Sequence, residues 1–536
     1  MALRAAILFA ATLLLLAPSA FGAGAKAGEP YLPPEPGFVL LASLTRYPDT
    51  IIALNRGRGG EELVRRGGGT LLSERLALWR LESSKAIGVV RDLGRLGALR
   101  YVEPDRRGGS FAALPGEPFI GDQGWLIAIG ADLVTPPGPG VPLAILDSGL
   151  DPGHPEFANR PNTVFLNNPT FPPEEQAAFH GTAVSSVAAA PVNGVGMAGV
   201  YPAARLFEYD VDQLACSDIV QGIETVLANA NGGPAVINGS FGVPYCQALN
   251  DEIQYAFGLG TVYVASAGNE FLKGNPITFP AALNHVLTVA ATDALDEPAF
   301  FSNANLSVDL AAPGVGILAA SFDQTGYFWE FVDGTSFSSP MVAAAAAWVW
   351  TIRAGLDVTQ IFSVMRFSAR DVWEKGWDDD TGFGVLDIPS ALAFPTPPSD
   401  PQEPNEDIYL VKKNGLFADA VDPLTSPGHG SARLEATLDL TEDPADVYRA
   451  YIPGNRLLTI RLAPNADVDL DAYRSSARTV YGTRGRIAFS AKPGTRVEVL
   501  RIRNTGRKGL YIYVDAFLPK GGPLDAAYTL TLKTTR

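Results

Sequence analysis

Charged side chains are scarce in this sequence: Asp, Glu, Lys and Arg make up 18% of 536 residues, and 57 acidic groups outnumber 41 basic ones. The net charge of −16 argues against nucleic-acid binding and for solubility. Long apolar runs are missing too. The stretch from Ala5 to Leu16 is short for a membrane span and no second one follows, so no transmembrane anchor is expected. Cysteine is almost absent: Cys216 and Cys246 are the only two, which leaves one disulfide or two free thiols. What is plentiful is apolar and turn-forming. With 47% hydrophobic residues, 55 Gly and 42 Pro, the chain has the composition of a compact, loop-rich protein and not of a disordered one. Its length asks for more than one domain.

Four short fragments carry chemistry. Val141 to Leu146 is an apolar run that ends in Asp147-Ser148-Gly149, which reads as a buried parallel strand delivering an acid at its C-terminal edge. His180 precedes a Gly-Thr turn and a small-residue helix. Thr261 to Ala265 reads as a strand opening into Ser266-Ala267-Gly268-Asn269, whose small neighbours leave the Asn269 amide free to donate. Gly334-Thr335-Ser336 leads straight into an Ala-rich helix, which sets the Ser336 hydroxyl beside free N–H groups and the positive end of the helix dipole. A hydroxyl so placed is useful when a base takes its proton and donors receive the oxyanion. His154 is a rival base, but it follows Asp147 closely and is expected to organise the loop after that strand; His285 and His429 lie in structural or surface contexts.

The chain order Asp147, His180, Asn269, Ser336 resembles that of the subtilisin-like serine peptidases, the subtilases. Asn193 to Val200, Val236 to Gly242, Phe279-Pro280-Ala281, Ala312-Pro313-Gly314 and Gly382 to Asp387 resemble further family segments, so the likeness runs from about residue 117 to 395. It implies an α/β fold, a parallel sheet with helices on both faces. It also implies a triad of Asp147, His180 and Ser336, with Asn269 and the Ser336 N–H as oxyanion donors. Ser240, Phe241 and Gly242 would pair with substrate as an added strand. Protein or peptide substrates follow. The chemistry requires no cofactor.

The same resemblance bears on the rest of the chain. Its layout sets the loop after Arg205–Tyr209 beside the one after Gly242, which favours a Cys216–Cys246 disulfide, and export would permit one. Residues 1–25 have the positive start, apolar core and small residues of a signal peptide, so secretion is expected. Residues 26–116 resemble an inhibitory propeptide of small α+β type. Its expected elements are a strand over Phe38–Leu44, a helix over Ala86–Leu96 with a serine available to cap it, and a strand ending Val102-Glu103-Pro104-Asp105. Arg106 to Ser110 begins a linker. From Ala23 to Glu117 there are 14 Lys and Arg against 11 Asp and Glu, whereas from Pro118 onward there are 26 against 46, which suggests that leader and body are partners, although solubility alone also explains the acidic part.

The subtilisin-like domain spans 117–394. A Pro-rich spacer over 395–405 then leads to a region, 406–536, of alternating strands: Arg433–Leu440, Asp446–Ile452, Leu457–Leu462, Arg496–Ile502, Leu510–Val514 and Ala527–Leu532. That pattern reads as a β-sandwich and resembles the pre-peptidase C-terminal domain of secreted peptidases. Asp467, Asp469 and Asp471 could hold a structural calcium, though solvated carboxylates explain them as well. Two other functions remain open: an inactive, protease-like binding protein, and an esterase using the same triad. The second lacks Gly-x-Ser-x-Gly spacing, since Gly334-Thr335-Ser336-Phe337-Ser338 does not provide it.

Overall fold

The computed structural model describes residues 49–55, 57–104, 116–167, 179–211 and 214–536. The signal peptide, the strand expected over Phe38–Leu44 and the linker from Arg106 to Ser110 lie outside the described residues.

A seven-stranded parallel sheet forms the centre. Its order is Leu310–Pro313, Val286–Thr292, Thr261–Ser266, Ala235–Gly239, Leu143–Asp147, Leu206–Asp210, Thr163–Phe165. The four strands Leu143–Asp147, Ala235–Gly239, Thr261–Ser266 and Val286–Thr292 are buried along their whole length, which is why they read as unbroken apolar runs in place of alternating patterns. Alternate side chains feed two cores. Leu143 and Ile145 pack with helices His180–Ala189 and Thr335–Ile352 on one face, while Ala144 and Leu146 pack with Cys216–Ala230 and Gln247–Gly258 on the other. Alanine from 343 to 347 lets the Thr335–Ile352 helix lie close against the sheet, and all five are fully buried.

Residues 49–104 form a separate unit of four antiparallel strands in the order Thr70–Ser73, Leu78–Glu82, Asp49–Leu54, Leu99–Pro104. Helix Ser83–Arg95 covers it, burying Ala86, Val90 and Leu93. The expected serine cap is absent. Glu82 occupies the N-cap, and Ser83 Oγ instead bonds Thr50 Oγ1 at 2.7 Å, tying the helix start to the sheet. This unit touches the central body through Leu295, which packs against its core, and an Arg91–Glu297 pair at 3.1 Å.

The C-terminal region is a sandwich of two four-stranded sheets. One runs Ser431–Asp439, Asp525–Thr535, Leu457–Pro464, Glu498–Arg503, and the other Ala445–Ile452, Leu510–Phe517, Asp469–Arg474, Arg486–Ser490. Tyr448, Ile460, Leu470, Val514 and Leu530 fill the space between them. Strand Arg486–Ser490 was not expected, because Ile487 is its one β-branched residue and pairing with Asp469–Arg474 makes it a strand. The Pro-rich stretch is docked: Gln360 Nε2 donates to the Pro397 carbonyl at 2.8 Å, and Thr437 N donates to Asp400 Oδ2 at 2.7 Å. Buried Arg366 bridges sandwich and body, pairing with Asp309 at 2.9 Å and with Asp439.

Cys216 and Cys246 are joined in a disulfide with Cα atoms 6.5 Å apart, so the bridge ties the starts of two neighbouring helices. Closing a loop of 30 residues restricts the unfolded chain by roughly 3–4 kcal/mol. Replacing both cysteines by serine should lower unfolding stability by about that amount in denaturant titration. An unchanged midpoint would show that the bridge constrains nothing.

Candidate active site

Asp147 ends its strand at the C-terminal edge of the sheet, where its side chain is 5% exposed. Ser148 N–H donates to Asp147 Oδ1 at 2.8 Å, and His180 Nδ1 lies 2.7 Å from the same oxygen. His180 opens its helix, and Gly181 permits the approach: a Cβ there would sit 2.4 Å from the Gly149 carbonyl oxygen. Gly181 N–H also donates to Ser148 Oγ at 2.9 Å, closing the turn of the acid strand onto the histidine helix. Enclosure on its own would push the His180 imidazole down. The charge and hydrogen bond of Asp147 outweigh it, so His180 lies above its ordinary value.

Ser336 is the second residue of helix Thr335–Ile352. Pro340 lies four residues on and has no N–H to give the Ser336 carbonyl. Ser240 Oγ fills that role, donating to Ser336 O at 2.9 Å, while Ser336 Oγ donates to Ser240 O at 3.3 Å. Asn238 supports the link from below, with Nδ2 donating to Ser240 Oγ at 3.0 Å and Oδ1 accepting from Ser339 Oγ at 2.5 Å. Phe337 packs its ring 5.8 Å from that of His180, so the base and the head of the serine helix share one wall of the cleft.

Asn269 follows the strand Thr261–Ser266 and is exposed to the cleft. Its Oδ1 accepts from Thr335 N and Thr335 Oγ1, both at 2.9 Å. A backbone N–H must meet an oxygen, so Nδ2 is the end presented to the cleft. Thr335 Oγ1 accepts in turn from Gly268 N at 3.2 Å. Gly334, at φ 154°, ψ 150°, occupies a region that favours glycine, and a Cβ there would come within 3.5 Å of Asn269 Nδ2.

Ser240, Phe241 and Gly242 run past these groups along a cleft of about 320 Å³ that is also lined by Asn269, Ile277 and Ser336. The far wall is Pro276 to Thr278. Thr335, Pro340 and Asn238 were not singled out as functional from the sequence. A proline at the sixth position of a helix, four residues after a candidate nucleophile, is the signal that could have found the freed carbonyl.

The remaining candidates lie elsewhere. His154 is fully buried and faces the Ser321 and Phe328 carbonyls with Nε2, each at 3.2 Å, so it holds a hairpin over the loop after Asp147. His285 is buried and His429 exposed. Asp471 is engaged by Arg486 at 2.8 Å and Tyr473 OH at 3.1 Å, and Asp467 accepts from Gly494 N at 2.9 Å. Among the described residues the His and carboxylate sets that converge are others: His285, Glu403 and Glu406, and Asp400, Glu403 and Asp446.

Residues 138–384 match the model of the Subtilase family, Peptidase_S8. A thermophilic serine proteinase of Bacillus sp. (strain AK1) is 34% identical over 220 residues, covering 40% of this chain and 53% of that protein. A subtilisin of Bacillus pumilus is 34% identical over 217 residues, covering 39% of this chain and 76% of that protein. The chain thus spans about half the length of the first of these relatives. A solved protease structure from Pseudoalteromonas arctica PAMC 21717 aligns with TM-score 0.45 at 26% identity, covering 52% of this chain and 99% of that one. No helix among the described residues is long and apolar enough to cross a membrane.

The electrostatic pairing gives a direct expectation. In Asp147→Asn the carboxylate charge is gone while the enclosure stays, so the His180 imidazole should protonate at lower pH, below its ordinary value near 6.5. Nuclear magnetic resonance titration of the ring would read the midpoint. A midpoint equal to that of the parent would contradict the pairing.

Proposed function

From a chain that belongs to the subtilase family, we propose a secreted serine endopeptidase, made as a precursor, that hydrolyses protein and peptide substrates. The observation that supports it most is the Asn269–Thr335 lock, which presents a free amide beside the head of the Ser336 helix. In this reading the Ser336 oxygen attacks the scissile carbonyl carbon as His180 Nε2 takes its proton. The tetrahedral oxyanion is held by Asn269 Nδ2 and the Ser336 backbone N–H. His180 then returns the proton to the leaving amine, and water repeats the steps in reverse sense to release the acid. Asp147 keeps the imidazole proton on Nδ1 and stabilises the imidazolium.

The backbone of Ser240 to Gly242 would bind substrate as an added strand, reading peptide more than sequence. No cofactor takes part in these steps, so any bound calcium would serve structure. We assign residues 1–25 to a signal peptide, 26–116 to an inhibitory propeptide, 117–394 to the catalytic domain, 395–405 to the connecting segment and 406–536 to the C-terminal domain.

Ser336→Ala tests the reading. Casein hydrolysis should fall by about 10⁶ in kcat, the size known for the subtilisin nucleophile, with thermal unfolding unchanged. The purified precursor should also stay uncut in the absence of any other protease. Undiminished hydrolysis by the variant would remove Ser336 from the mechanism, and normal processing would remove self-cleavage.

A further inference from the structure

One group of buried ligand-type atoms takes no part in the proposed chemistry. His285 sits just before strand Val286–Thr292 of the central sheet, and Glu403 and Glu406 sit in the segment that leads to the sandwich. Each offers one ligand atom, and these lie within 4.8 Å of one another. The three side chains are 5%, 3% and 4% exposed.

Hydrogen bonding fixes the ring. Gln254 Nε2 donates to the Asn284 carbonyl at 2.8 Å, so Gln254 Oε1 is an acceptor, and it lies 2.7 Å from His285 Nδ1. Nδ1 therefore carries the proton and Nε2 keeps a bare lone pair. That lone pair faces Glu403 Oε2 at 3.5 Å. Neither Glu406 oxygen makes a hydrogen bond, and Oε1 lies 3.0 Å from His285 Nδ1, on the side of the ring that Gln254 also faces. Among the described residues no Lys or Arg pairs with either glutamate. Phe257 stacks on the imidazole at 4.0 Å and holds its plane. Glu403 accepts from Asn405 N and Nδ2, whereas Glu406 is a buried carboxyl without a hydrogen-bond partner, which is costly as a carboxylate unless a cation meets it. His285 Nε2 faces Glu403 while Nδ1 is held by the Gln254 acceptor, and a histidine with one nitrogen so held and the other facing a carboxylate has the arrangement of a metal ligand.

We propose that His285, Glu403 and Glu406 bind a divalent cation of the zinc type, which clamps the C-terminal domain to the catalytic domain. A nitrogen with two carboxylates suits Zn²⁺ better than Ca²⁺, which prefers oxygen throughout. The neighbouring set of Asp400, Glu403 and Asp446 is the all-oxygen competitor. Because the clamp lies outside the serine site, it stands or falls independently of the peptidase reading.

The test uses the full-length Ser336→Ala chain, which cannot digest itself under that reading, stripped with chelator and titrated with Zn²⁺ or with Ca²⁺ while thermal unfolding is followed. Zinc at one hundred times its Kd should raise the midpoint by about 3–5 °C. His285→Gln and Glu406→Gln should each abolish that shift. Glu406→Gln should leave the metal-free midpoint equal or higher, because it removes a buried charge. A zinc shift that survives both variants, or a shift with calcium alone, overturns the proposal. Where a variant fails to fold, metal analysis of the parent Ser336→Ala chain after dialysis against zinc decides: about one bound zinc per chain supports the clamp, and none overturns it.

Discussion

The contact between Asn269 and Thr335 is the one on which the rest of the cleft depends. It joins the end of a fully buried strand to the first residue of a helix packed against the opposite side of that strand's edge. Because Thr335 supplies both a backbone and a hydroxyl donor to one oxygen, the amide cannot turn over without losing both bonds. An oxyanion site works by having its donors in place before charge develops, so rotational freedom at Asn269 would weaken it directly. The helix adds its own free N–H groups and dipole at the same spot. Gly334 then matters for its backbone, since φ 154° is a conformation that other residues rarely adopt.

The second requirement is that the serine helix stay docked at its head, where helices are least secured. Pro340 makes this harder by leaving the Ser336 carbonyl without its helical partner. The exchange of hydrogen bonds between Ser240 and Ser336 turns that loss into a cross-link, and Asn238 with Ser339 continues it into the core. The segment proposed to receive substrate is therefore tied to the backbone of the proposed nucleophile. Ser240→Ala would disturb both. Further out, Arg366 gathers Asp309 of the body and Asp439 of the sandwich into one buried ion cluster. Burial raises Asp309 to about 7 even so, against the pull of Arg366.

The fold class was legible because the chain order of Asp147, His180, Asn269 and Ser336 resembles that of the subtilases, and the unbroken apolar runs agree with parallel strands buried on both faces. Small residues around each of the four, at the end of a strand or the start of a helix, fitted the roles that the resemblance implied. What stayed hidden depends on partners distant in the chain. Ser83 looked like a cap, yet Thr50, 33 residues away, takes its hydroxyl. The Arg486 partner of Asp471, 15 residues on, could not be read from the Asp467, Asp469 and Asp471 spacing. Glu403 fell in the expected spacer and Glu406 at the start of the C-terminal region, and only folding brings them against His285.

The central claim is that Asn269 serves the transition state and not the bound substrate. Steady-state kinetics of Asn269→Ala on a peptide substrate test it most directly. The account predicts a fall in kcat of about 10²–10³, the magnitude established for this donor in subtilisin, with KM little changed. A large rise in KM with kcat unaltered would contradict it.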